Sequence, residues 1–111
     1  MLFRSAYATI EDLCDDPEVV AVYVATPHQL HREHACLVAN RGKHVFVEKP
    51  MALSVAECEA MVATARDAKV HMVVGHSHSF DAPVQRARKI IQSGMVGRVR
   101  MIHAFNYTDF L

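Results

Sequence analysis

Four short apolar segments rich in β-branched residues, at 19–25, 44–47, 70–74 and 99–105, recur along the chain with polar-faced stretches between them. Repeated strand and helix units produce this rhythm. The first three segments are nearly continuous in apolar character, as parallel strands are when helices cover both faces of their sheet. The pattern therefore predicts an α/β fold built on a parallel sheet. With 111 residues and 51% hydrophobic content, the chain has material for one small core.

The intervening stretches carry helix signals. Ser54 and Glu57 have capping-box spacing, which predicts a helix from Val55 that buries Cys58, Met61, Val62, Ala65 and Ala68 on one face. A second helix is predicted from His31 to near Gly42 and a third from after Pro83 to near Gly94, because glycine takes the left-handed turn that ends helices. Near the start, residues 9–15 read as a short helix stopped by Pro17 and preceded by a strand stub at 6–8. The last apolar segment differs from the others: Val99, Met101, His103, Phe105 and Tyr107 alternate with a second set of side chains. Period two predicts a strand with two unlike faces, the opening of a second, mixed sheet.

Charge narrows the function. Twelve basic residues balance twelve acidic ones, which argues against nucleic-acid and membrane partners. Cys14, Cys36 and Cys58 are odd in number and lie in helical stretches, so they read as reduced thiols. The longest apolar run, 19–25, is too short to span a bilayer, and residues 1–9 lack the apolar core of a signal peptide. A cytoplasmic protein is expected.

Open parallel sheets bind ligands at the carboxyl ends of their strands. There the sequence places Thr26-Pro27-His28-Gln29-Leu30-His31, then Glu48-Lys49-Pro50, then a Gly75-to-Asp81 run that includes His76 and His78. A lysine held at such an edge can exchange a proton with a substrate hydroxyl, which makes Lys49 a candidate acid/base; the plainer alternative is a lysine that snorkels or pairs with Glu48. Pro50 either fixes a tight, cis-type turn that aims Lys49 into a cleft or merely ends the strand. Two rival functions stay open. Eight histidines suggest a metal-dependent hydrolase using His28 or His31 with His76 and His78, although no H-E-x-x-H pattern occurs. The alternating strand at the end suggests a non-catalytic module that binds a partner by β-addition.

The run Ala25-Thr26-Pro27 with His31, then Glu48-Lys49-Pro50, the capped helix, Val74-Gly75, Phe80-Asp81, and Gly94-Met95-Val96-Gly97 resembles the Gfo/Idh/MocA family of NAD(P)-dependent oxidoreductases. A narrower resemblance, carried by residues 75–81 and 106–110, is to the bacterial phthalate 4,5-cis-dihydrodiol dehydrogenases. The resemblance implies a Rossmann domain that binds NAD or NADP, represented by residues 1–97. It implies that 98–111 begin a substrate and oligomerisation domain of a homo-oligomer acting on a cyclic diol or polyol. It also implies Lys49 as the catalytic residue, with Thr26, Pro27, His31, Glu48 and Lys49 along the cofactor. His28 and Ser79 stand where many members have Asn and Arg, so those contacts do not transfer, and His76 and His78 become candidates for the substrate.

No G-x-G-x-x-G occurs, since the only glycines are Gly42, Gly75, Gly94 and Gly97. In the family layout that fingerprint lies upstream of Met1, and a further Asp and His lie beyond Leu111. The chain therefore reads as a truncated, internal piece of an enzyme, inactive by itself.

Overall fold

Helix starts leave backbone amides unpaired, and the chain meets this need twice with short hydroxyl side chains. In the computed structural model, which describes residues 5–105, the Thr9 hydroxyl accepts from Asp12 N at 3.0 Å and opens helix α1, Ile10–Asp15. Ser54 Oγ accepts from Glu57 N at 3.2 Å and opens helix α3, Val55–Asp67. The Glu57 carboxylate reaches back to Leu53 N at 2.9 Å, one residue before the cap amide that the capping box predicts. Between them lie strand β1, Ala21–Val24, helix α2, His31–Asn40, and strand β2, His44–Val47. Strand β3, Met72–Val74, and helix α4, Ala82–Gln92, follow. Single 3-10 turns occupy His28–Leu30 and Ser77–Phe80. Gly42 takes the left-handed turn after α2 with φ of 73°, as the sequence predicts.

The three strands form one parallel sheet in the order β1-β2-β3, with Val24, Val47 and Val74 level across it. Val22, Val24, Val45 and Val47 point inward and are buried with Cys14, Ala35, Val38, Ala39 and Met61. All three cysteines are free thiols. Burying a Val or Met side chain is worth roughly 1.5–3 kcal/mol, so this single layer of helices on one sheet face supplies the main stabilisation.

Four expectations change. The near-continuous apolar strands suggested cover on both faces, yet Tyr23 and Phe46 on the opposite face remain 56% and 48% exposed. The pleat alternates buried and exposed residues even where every residue is apolar, which composition alone does not reveal. Val62 is half exposed instead of buried; it lines a groove of about 350 Å³ with Val55, Cys58 and Arg66. Residues 6–8 form no strand. Nor do residues 99–105: a strand needs a ladder of bonds to a neighbouring strand, and the sheet among the described residues holds β1, β2 and β3. Tyr107 and residues 106–110 of the narrower resemblance lie outside the described residues.

The chain packs as two compact units that divide between His76 and Ser77. No helix among the described residues is long and apolar enough to cross a membrane.

Candidate active site at the strand ends

The site begins where the parallel ladder runs past the ends of the strands. Glu48 N donates to Val24 O at 2.9 Å, and Gly75 N donates to Val47 O at 2.8 Å. Glu48 is thereby fixed between the end of β1 and the residue that follows β3. Its carboxylate is held twice: the Tyr23 hydroxyl donates to Oε1, and Lys49 N donates to Oε2 at 2.9 Å. Donors stabilise the charged form of an acid. The Tyr23 hydrogen bond, then that of the Lys49 amide, with smaller help from the charges of Lys49 and His31, hold Glu48 below the usual carboxylate range. The same contact raises the Tyr23 phenol above its ordinary value.

Lys49 is exposed, and the peptide bond from Lys49 to Pro50 is cis, the tight turn that one reading of Pro50 anticipates. Thr26 and Pro27 follow β1 beside this turn. The Thr26 hydroxyl pairs with His34 Nδ1 at 3.0 Å, so a histidine one helical turn beyond His31 anchors the β1 loop.

His31, expected along the cofactor, is only 1% exposed. Nδ1 lies 2.8 Å from Pro50 O and Nε2 lies 2.8 Å from Thr26 O. Its ring is therefore committed to the two carbonyls that it faces. The same contacts occupy both ring nitrogens of one of the two alternative ligands, His28 or His31, in the metal-hydrolase reading. Among the described residues, no three His, Cys, Asp or Glu side chains converge as a metal site would require. His28 is exposed on the 3-10 turn.

Of the two candidate substrate histidines, His76 closes the first unit, its amide donating to Val74 O at 2.8 Å. His78 belongs to the second unit, where Nδ1 pairs with Asp81 Oδ2 at 2.9 Å and occupies the carboxylate at the start of α4.

Tyr23 and His34 are the residues that sequence reasoning missed. A tyrosine within an apolar strand reads as core, and only the β1–β2 register, which sets Tyr23 beside Phe46 two residues before Glu48, identifies it.

The model of the oxidoreductase family with an NAD-binding Rossmann fold matches residues 3–76, the span that holds all three strands and the Glu48-Lys49-Pro50 turn. The chain belongs to the Gfo/Idh/MocA family. A 1-carboxy-3-chloro-3,4-dihydroxycyclohexa-1,5-diene dehydrogenase of Comamonas testosteroni is 53% identical over 107 residues, which cover 96% of this chain and 27% of that protein. A 2,7-anhydro-N-acetylneuraminate hydratase of Escherichia coli strain K12 is 40% identical over 96 residues, 86% of this chain and 26% of that protein. A solved levoglucosan dehydrogenase in complex with NADH and levoglucosan superposes with a TM-score of 0.79 at 33% identity, covering 86% of this chain and 26% of that one. The chain thus spans about a quarter of the length of these relatives.

Proposed function

We propose that this chain supplies the nicotinamide end of the active site of a dehydrogenase that oxidises a cyclic diol. The observation that carries this reading is Lys49, exposed at the end of β2 beside a Glu48 carboxylate kept ionised by two donors. We read residues 1–97 as part of the dinucleotide-binding domain and 98–111 as the opening of the substrate and oligomerisation domain.

The residues present fit one end of the dinucleotide. The Lys49 side chain, a carboxylate acceptor at Glu48 and bare backbone at Gly75, where a Cβ would come within 3.7 Å of Glu48 Oε2, suit a ribose and a flat ring. The glycine amides that cradle a pyrophosphate have no counterpart among Gly42, Gly75, Gly94 and Gly97. When bound, a nicotinamide dinucleotide would supply the acceptor for the hydride on the substrate's carbinol carbon. Lys49, as the neutral amine, takes the proton from the hydroxyl on that carbon and becomes the ammonium, so the C–H and O–H bonds both break and a carbonyl forms. Glu48 offers an acceptor to the cofactor's ribose, and Thr26 and Pro27 border the ring. With a dihydroxycyclohexadiene, the dihydrodiol of an arene, the ketone tautomerises to a catechol, and aromatisation drives the reaction. A cis-dihydrodiol of phthalate is the substrate favoured by the narrower resemblance, and a carboxylated dihydroxycyclohexadiene is named for the Comamonas testosteroni relative. A small-molecule substrate, a homo-oligomeric enzyme and a cytoplasmic location complete this reading.

The test is a chimera in which these residues replace the aligned segment of that relative. Substrate-dependent NAD reduction that falls about 10²- to 10⁴-fold on Lys49→Ala supports the proposal. Equal activity with alanine at this position overturns it.

A further inference from the structure

Both ring nitrogens of His31 face backbone carbonyl oxygens, each at 2.8 Å. A carbonyl oxygen only accepts, so each contact requires a proton on nitrogen, and a neutral imidazole carries one. In either neutral tautomer, one lone pair would stand against a carbonyl at hydrogen-bonding distance in a site that is 1% exposed. We propose that His31 is held as an imidazolium whose two N–H groups tie the loop after β1 to the turn that carries Lys49, making it a positioning residue for that turn.

The sequence separation explains what the tie does. Thr26 ends the β1 excursion and Pro50 lies in the turn after β2, 19 residues from His31, so the ring spans two segments that the β1–β2 ladder does not hold beyond Glu48. A buried cation costs desolvation, offset here by two charge-assisted bonds. The charged groups on the turn that the ring ties are Glu48, on which the His31 charge acts, and Lys49. His34 faces the Thr26 hydroxyl, which leaves the ring of His31 to the carbonyls alone. On losing one proton, the ring keeps one tie and repels the other carbonyl, so the Lys49 turn loosens as pH rises.

The value of this placement to catalysis rests on the dehydrogenase reading; the state of the ring does not. The experiment is two-bond ¹H–¹⁵N correlation of the ¹⁵N-labelled chain across a pH series. At neutral pH, His31 is expected to show two protonated-type ring nitrogens. The amides of Met51, whose peptide carbonyl is that of Pro50, and of Lys49 are expected to shift with the same midpoint as the ring. A single neutral tautomer at neutral pH overturns the imidazolium, and a ring that titrates while both amides stay still overturns the positioning role. Neither result depends on cofactor binding, so failure here is distinct from failure of the dehydrogenase reading. As a second arm, His31→Gln, which keeps one donor nitrogen, is expected to hold one of the two segments, with amide shifts confined to the other. Unchanged amides at both would also overturn the tie.

Discussion

The Tyr23 hydroxyl crosses from β1 to the Glu48 carboxylate beyond the end of β2, so an exposed strand residue helps hold the charge of a residue at the strand ends. Removing this donor with Tyr23→Phe is expected to raise the Glu48 titration toward the ordinary carboxylate range, followed by ¹³C carboxyl NMR. The sign of the stability effect follows from linkage. A carboxylate whose folded value is depressed binds fewer protons folded than unfolded, so its contribution is present above the unfolded value and lost as pH falls through the folded one. Tyr23→Phe should therefore flatten the acid limb of the stability profile. An unchanged Glu48 titration would show that the tyrosine does not hold it.

In the proposed reaction Lys49 changes its protonation, which charge alone does not replace. In the chimera, Lys49→Arg keeps a cation that is never deprotonated in proteins, so it is expected to lose turnover nearly as fully as Lys49→Ala. Steady-state kinetics of the two variants decide this. Near-native turnover with arginine would reduce Lys49 to an electrostatic contact.

Ser54 opens α3 with a side-chain cap, and Ser54→Ala is expected to cost about 1 kcal/mol. For a domain of about this size that corresponds to a fall in Tm of roughly 4–8 °C, measurable by circular dichroism.

Met61 is fully buried where α3 joins the core, and Met61→Ala is expected to cost about 2–5 kcal/mol, read from urea denaturation. Val62→Ala, one residue on and half exposed, should cost far less.

The purified chain by itself is expected to give no sustained substrate-dependent NADH production, because the glycine-amide cradle for the pyrophosphate is not in its sequence. Steady turnover by these residues alone would contradict this.

Much of the architecture was legible locally. Ser54 with Glu57 and Gly42 after α2 act through neighbours a few residues away, and each reads directly from the sequence, whereas Thr9, read as the first residue of the short helix, proves to be its cap. Lys49 and Glu48 were legible as a strand-end pair, and the cis turn as one of two readings of Pro50. The burial of His31 was not, because its acceptors are carbonyls at Thr26 and Pro50, and any residue type supplies a carbonyl. The exposure of Tyr23 and Phe46 was hidden for a related reason: an apolar run does not state which of its faces meets helices. Residues 99–105 show the opposite failure, since alternation marks a capacity to pair and says nothing of whether a partner is there.

The pleat of β1 and β2 has an evolutionary consequence. Val22, Val24, Val45 and Val47 anchor the helices, while Tyr23 and Lys49, just past β2, are exposed among the described residues. Substitutions on the outer set leave the anchoring contacts intact, and effects at sites that share no partners add independently. The fold can therefore drift in substrate preference without eroding its footing, which is one physical route by which a single scaffold comes to serve both a diol dehydrogenase and an anhydrosugar hydratase among its relatives.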